Sequence, residues 1–298
     1  MIKKISIVGG GEIGQAISFI VSSAGESCSI WDKNPEKSSA LSPAECFEDA
    51  TAVFFCVPSF VLRSVLIELV SFLPPDIPVV FVSKGMEQGT GFSAPEMASE
   101  FLDLNRIVFM GGPMIAEEII AGKGGRAVLG GEQESANIIA KIFKGRYISA
   151  EIAENAFSVA ILGVLKNVYS LVLGAAASQG LGENMKAYLV AKSIREMDVI
   201  ARILGGTISV MSTAGIGDFV ATSMSCDSSN QKAGFKLVSG YQPDKLSEGI
   251  SSISALVERI LKNVKSDELE KFSILSFAQA MVEREPINQE SWNKILND

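Results

Sequence analysis

The sequence predicts two unlike halves: an α/β half with a doubly wound, mostly parallel sheet over residues 1–149, and an all-helical half over 150–298. Three observations carry this reading. Short β-branched and aromatic runs alternate with helical patterns as far as about Ser149. A Gly-x-Gly-x-x-Gly turn joins the first such run to the first helix. From Ala150 onward long helical patterns follow one another, and no strand is expected.

In order, Lys4 to Val8 reads as a strand, Gly9 to Gly14 as a turn and Gly14 to Ala24 as a helix. Ser27 to Trp31 is a second strand, closed by Asp32. Ala52 to Val57, Pro78 to Val82, Ile107 to Met110 and Gly125 to Leu129 continue the strands, with a helix over Phe60 to Phe72 ended by Pro74 and Pro75. In the second half, Ala153 to Ala177 reads as one long apolar helix or two. Asn184 to Leu204, Ser252 to Val264, Leu269 to Arg284 and Asn288 to Leu296 complete the helices.

Composition excludes several functions. The 298 residues are 47% hydrophobic, enough to bury a sizeable core. A formal net charge of −8 argues against a nucleic-acid groove, which needs a basic stripe. Two or three local cations still suffice for a small anionic substrate. Cys28, Cys46, Cys56 and Cys226 form no C-x-x-C pair, so no metal site is expected. The apolar stretch after the basic start is interrupted at Gly9, and the longest apolar segment is cut by Lys166 and Asn167. A cytoplasmic protein without a membrane span is expected. There is no histidine. Ser-His-Asp hydrolysis, histidine-assisted hydride transfer and histidine-ligated metals are therefore excluded. A proton donor has to be Lys, Tyr, Cys, Asp or Glu.

Gly9, Gly11 and Gly14 fit the dinucleotide-binding turn of a Rossmann domain. The first allows the tight turn, the second lets backbone approach a pyrophosphate, and the third lets helix and strand pack. Glu12 and Ile13 open the helix whose free N–H groups and dipole favour phosphate. Asp32 at the end of the next strand suits a ribose hydroxyl and favours NAD over NADP. Lys33 beside it suits a 2′-phosphate, so the preference stays open between the two. Both residues also read as solvated turn residues.

Further stretches resemble the bacterial type of NAD(P)-dependent glycerol-3-phosphate dehydrogenase over nearly the whole chain. They are Cys56-Val57-Pro58-Ser59, Ser83-Lys84-Gly85-Met86-Glu87, and Gly112-Pro113-Met114-Ile115-Ala116-Glu117-Glu118. They continue with Gly163-Val164-Leu165-Lys166-Asn167, Gly180-Leu181-Gly182-Glu183-Asn184, Ala214-Gly215-Ile216-Gly217-Asp218 and Ser228-Ser229-Asn230. Each is short; their order and spacing together are specific.

The resemblance implies hydride transfer between a nicotinamide and the C2 carbonyl of dihydroxyacetone phosphate, a small phosphorylated three-carbon substrate. It assigns Lys166 as proton donor and acceptor, Asp218 as the group that holds and polarises it, and Lys84 to a place between substrate and cofactor. It implies substrate contacts at Lys84, Gly112, Asn167, Ser228 and Asn230. Dinucleotide contacts are implied at Pro58, Phe60, Lys84, Ala116, Ser229 and Glu248, besides the glycine turn. It also implies a homodimer and a role in phospholipid synthesis. Structural readings stand beside these: Lys166 as a snorkelling interface cation, Asp218 and Asn230 as helix N-caps, Asn167 as a packing amide, Lys84 as a strand cap.

The chain departs from the family at points that matter. Ser229 stands where an arginine grips the substrate phosphate, and a hydroxyl cannot replace that bidentate fork. Met114 replaces a small hydroxyl residue, Lys192 an arginine and Ser193 a glycine. Lys232 or Lys186 is the expected substitute cation. The alternatives are a reductase of another small carbonyl or imine, such as a pyrroline-carboxylate or ketopantoate reductase, and a non-catalytic dinucleotide sensor.

Overall fold

A computed structural model describes residues 4–144, 147–225 and 227–297; Cys226 and the first three residues lie outside these. The described residues fall into two compact units, one within 1–83 and 93–160, the other within 84–92 and 161–298.

The first unit is built on a seven-stranded sheet in the order β2-β1-β3-β4-β5-β6-β7. Its strands are β1 (Lys4–Val8), β2 (Ser27–Trp31), β3 (Ala52–Phe55), β4 (Val79–Phe81), β5 (Ile107–Gly111), β6 (Gly125–Gly131) and β7 (Ile148–Ala153). The first five are parallel; β6 runs antiparallel to β5, and β7 runs parallel to β6. The connecting helices are α1 (Glu12–Ser23), α2 (Pro43–Phe47), α3 (Ser59–Leu69), α4 (Ala94–Ala98), α5 (Ala116–Ile120) and α6 (Gln133–Phe143). Central strands are buried on both faces, hence their continuous apolar runs such as Ala52-Val53-Phe54-Phe55. Ile5, Ile7, Phe54, Val80 and Val108 form a core with Ile17 and Ile20 of α1 and Phe143 of α6. Burying each such side chain contributes about 1.5–3 kcal/mol.

The strand β7 corrects the expectation that nothing extended follows Ala150. It is an edge strand carrying Ser149 and Glu151, with partly exposed side chains that mask its pattern, and its backbone pairs from Gly125↔Ile148 to Gly130↔Ala153. The structural division accordingly falls between Ala160 and Ile161 rather than at 149.

The second unit is helical among its described residues. Its elements are α7 (Ala156–Ser178), whose first residues belong to the first unit, then α8 (Glu183–Ile203), α9 (Asp218–Met224), α10 (Ser229–Val238), α11 (Glu248–Leu261), α12 (Ser266–Leu269), α13 (Ser273–Glu283) and α14 (Gln289–Asn297). The apolar Ala156–Ser178 segment is a single helix, long and apolar enough to cross a membrane, but 89% of its most apolar window is buried inside the structure. It is a core helix. The single helix expected over Leu269 to Arg284 is broken before Ser273. A tertiary contact makes that break. Buried Glu196 of α8 accepts hydrogen bonds from Ile274 N (3.0 Å), Leu275 N (3.2 Å) and the Tyr169 hydroxyl (2.9 Å), and so caps α13 from another helix. Burial raises the Glu196 carboxyl despite those donors.

Residues 84–92 pack with α11. Met86 N donates to Ser252 Oγ at 2.9 Å, Arg259 donates to Gly91 O at 2.8 Å, and the Gln88 amide donates to Ser251 O. The segment that carries Lys84 thus leaves the sheet to join the helical unit.

Candidate active site

The helical unit brings Lys84, Lys166, Asn167, Asp218 and Asn230 into one buried polar cluster. Lys166 and Asn167 lie mid-way along α7, buried among Val164, Leu165 and Val168, with Tyr169 and Ser170 on the following turn. Asp218 is the first residue of α9 and follows a π-helical turn, Thr213–Gly217. That wide turn is possible because Gly215 lies against Val210 O, where a Cβ would stand only 2.1 Å away.

Asp218 holds two ammonium groups. Its Oδ2 lies 2.5 Å from Lys84 Nζ and its Oδ1 3.3 Å from Lys166 Nζ. Lys166 also donates to Thr222 Oγ1, one turn along α9, at 2.9 Å. Gly163 leaves room for the Lys84 stem, since a Cβ there would sit 3.0 Å from Lys84 Cγ. Asn167 Nδ2 donates to Lys84 O at 2.8 Å, Asn230 Nδ2 donates to Asn167 Oδ1 at 2.9 Å, and Gly249 N donates to Asn230 Oδ1 at 2.9 Å. This chain of amides locks the backbone of the Lys84 segment to α7, α10 and α11.

The electrostatics follow from burial and charge. Burial lowers the Lys166 pKa, Asp218 partly restores it, and the Lys84 ammonium lowers it again, leaving it at about 8. Burial alone would raise the Asp218 carboxyl; the two lysines outweigh it and hold it below its ordinary value. Two ammonium groups share one carboxylate, so the fully protonated cluster carries net positive charge. Such a site suits a developing alkoxide and contains a lysine able to give or take a proton near neutral pH.

The cap readings are corrected. Asp218 is the first helical residue, with Gly217 in the cap position, and the cap of α10 is Ser228, whose Oγ accepts from Gln231 N at 3.4 Å. Asn230 is buried among the amides instead. Ser229 is exposed at the start of α10, and Glu248 opens α11. Thr222 was not legible: a lone threonine four residues after Asp218 carries no signal until α9 places both on one face.

The first unit holds the dinucleotide candidates. The direction of strand winding reverses between β1 and β3, and the pairs Val8↔Trp31 and Val8↔Phe55 bring the carboxyl ends of β1, β2 and β3 level there. This is the place where open α/β sheets bind ligands. Gly9 has φ +99° and abuts the backbone of Cys56. A Cβ on Gly14 would stand 2.0 Å from Gly9 O, whereas one on Gly11 would meet nothing within 4 Å. Gly9 and Gly14 are thus required by the turn, and Gly11 borders an open cradle at the start of α1. Glu12 is exposed and Ile13 half-buried in the first turn of α1. Asp32 accepts from Gly10 N at 2.7 Å and from Asn34 N at 2.8 Å, so the acid also fixes the glycine loop. Lys33 pairs with Glu68 at 2.9 Å. Pro58 precedes α3, and Phe60 is 51% exposed in its first turn. Ala116 opens α5. Gly112 adopts φ +93° with Arg126 O 2.4 Å from where a Cβ would be, and Met114 packs on the core.

The expected substitute cations do not join the lysine cluster. Lys186 pairs with Glu183 at 2.7 Å, Lys232 with Asp227 at 2.9 Å, and Lys192 donates to Ile295 O at 3.2 Å. Among the described residues no group of His, Cys, Asp or Glu is arranged to hold a metal.

Comparison with known proteins agrees with this reading. Residues 38–137 match the family described as NAD-dependent glycerol-3-phosphate dehydrogenase N-terminus, and residues 155–287 match its C-terminus. A glycerol-3-phosphate dehydrogenase [NAD(P)+] of Mycobacterium avium is 32% identical over 72% of this chain and 65% of its own length, so the match spans just under two thirds of that relative. One from Azotobacter vinelandii is 29% identical over 89% of this chain and 85% of its own. The crystal structure of glycerol-3-phosphate dehydrogenase from Coxiella burnetii superposes with a TM-score of 0.89 at 18% identity, covering 99% of each chain. With both family segments matched in order, and the lysine–aspartate cluster on the segments they cover, the chain belongs to the NAD-dependent glycerol-3-phosphate dehydrogenase family.

Proposed function

We propose that the chain is an NAD(P)-dependent dehydrogenase interconverting dihydroxyacetone phosphate and sn-glycerol 3-phosphate. The observation that carries this is Lys166, a buried ammonium held by Asp218 and Thr222 with a pKa of about 8. When bound, the nicotinamide dinucleotide supplies or takes the hydride at C2. Gly9, Gly11 and Gly14 with the first turn of α1 would hold its pyrophosphate.

In the reducing direction Lys166 gives a proton to the carbonyl oxygen as C2 becomes a secondary alcohol carbon. In the oxidising direction neutral Lys166 takes it back. Asp218 keeps the ammonium aimed and charged, and Lys84 adds positive charge where the alkoxide develops. Asn167 and Asn230 orient the Lys84 segment. Ser228 and Ser229, with the free N–H groups at the start of α10, would face the phosphate without an arginine fork.

Asp32 supports NAD over NADP, because its carboxylate faces the glycine loop and a 2′-phosphate there would be repelled. Cytoplasmic location, a homodimer and supply of glycerol phosphate for phospholipid synthesis complete the reading. The test is the absorbance change at 340 nm with dihydroxyacetone phosphate and NADH or NADPH. Turnover is expected with NADH, with Lys166→Met losing it while still binding the dinucleotide. Strong NADPH preference would overturn the Asp32 argument. Exposed Ser229 favours one second reading, reduction of a different carbonyl compound; turnover of that compound alone would establish it.

A further inference from the structure

Helices α7, α8, α9 and α10 line a cavity of about 900 Å³ that lies wholly within the helical unit. Its walls are apolar: Leu173, Val190, Val220, Met224 and Phe235. Lys186, Lys232 and Lys236 also line it, against a single lining carboxylate, Glu183. None of Lys84, Lys166, Asn167, Asp218 or Asn230 lines it.

The helix geometry explains this separation. Gly174 and Gly234 let α7 and α10 meet backbone to backbone, since a Cβ on Gly174 would stand 1.9 Å from Gln231 O and one on Gly234 1.8 Å from Leu171 O. Asn230 points into the amide cluster. Lys232 is two residues on, about 200° around the helix, and so faces the other way. The two cations expected to replace the missing arginine, Lys186 and Lys232, meet here instead.

The size and lining suit a small molecule with a long apolar part and one anionic end. In a chain of net charge −8, three ammonium groups line this cavity against one lining carboxylate. The lysines are paired at present, Lys186 with Glu183, Lys232 with Asp227 and Lys236 with Asp244. Surface pairs of this kind are weak, so an anionic headgroup displaces them at small cost. Met224, 82% exposed, and Phe235 offer adaptable apolar contact.

We propose that this cavity binds a single-chain amphiphilic anion, an alkyl or acyl chain ended by a phosphate or carboxylate. The chain lies against the apolar walls and the headgroup among Lys186, Lys232 and Lys236. The site is coupled to the lysine cluster through α9. Gln231, in the lining, donates to Thr222 O at 2.6 Å and to Ser223 O and Ser225 O at 3.2 Å each, while Thr222 Oγ1 holds Lys166. An occupant that moves Gln231 therefore moves the partner of Lys166.

The test is calorimetric titration of the full chain with dodecyl phosphate and with dodecanoate, each below its micelle-forming concentration, without cofactor or substrate. Saturable one-to-one binding is expected. Comparable binding of both anions shows that the site reads the negative charge alone, and tighter binding of the phosphate identifies a phosphate headgroup. Ala187→Trp, which fills the cavity from an exposed position, should weaken binding at least about tenfold. The surface variant Lys186→Ala/Lys232→Ala/Lys236→Ala should do the same, and it decides the matter if the tryptophan disturbs folding. No binding of either anion, equal binding of dodecanol, unchanged affinity in a folded Ala187→Trp, or binding only to anionic vesicles would overturn the proposal.

Discussion

Replacing Asp218 by asparagine tests the proposed chemistry most directly. The substitution keeps the shape of the side chain and removes the carboxylate that pairs with both Lys84 and Lys166. Asp218 Oδ1 and Lys166 Nζ are 3.3 Å apart. At an effective dielectric of about 20, unit charges at that spacing interact by about 5 kcal/mol. At about 1.4 kcal/mol per pK unit this is worth three units or more. Lys166 should fall from about 8 to about 5, because burial and the Lys84 ammonium then act unopposed. At pH 7 its protonated fraction drops from about nine tenths to about one hundredth. Reduction, which consumes that proton, should slow at least about 100-fold. The assay is kcat for dihydroxyacetone phosphate reduction between pH 5 and 10 at saturating substrate, with thermal melting to confirm folding. In the unaltered protein, reduction declines as pH rises through about 8 and oxidation increases over the same range. In Asp218→Asn both midpoints should move down by about three units. A midpoint still near 8, with kcat within about threefold, would refute the assignment of Asp218 as the group that keeps Lys166 charged.

Three further outcomes follow from the same geometry. Gly11→Ala should fold normally yet weaken dinucleotide binding at least about tenfold, because its Cβ enters the open cradle; Gly14→Ala should lower stability, because its Cβ meets Gly9 O. Fluorescence titration with NADH and urea denaturation separate the two, and equal behaviour would contradict the division of labour. Ser229→Arg should lower KM for dihydroxyacetone phosphate about tenfold and leave unphosphorylated dihydroxyacetone unaffected, since one charge-assisted bond is worth about 1.5–3 kcal/mol. An unchanged KM would mean that this position does not face the phosphate. Glu196→Ala should cost about 2–4 kcal/mol in urea denaturation by stripping the acceptor from Ile274 N, Leu275 N and Tyr169. A loss below about 1 kcal/mol would show that α13 caps itself.

The alternation of strands and helices was legible because buried parallel strands and amphipathic helices have different periods, and the first five strands fall within a residue or two of the sequence expectation. The edge strand β7 was not legible, since a half-exposed strand need not be apolar. Nor was the break before α13, whose cap comes from Glu196, 78 residues earlier in the chain.

The candidate site divides along the same line. From sequence alone came the glycine turn, the lysine and aspartate motifs and the exclusion of histidine chemistry, all of them local patterns or composition. Only tertiary structure put Lys84 with the helical unit, gave Asp218 two ammonium groups and Lys166 a threonine. It likewise turned Lys232 away from Asn230, a distinction set by helix rotation and by the two glycines that fix α10 on α7. Charge depends on distance and burial, and neither is a property of residue order. The sequence could therefore name the residues of the cluster, while their packing decided which of them share a carboxylate.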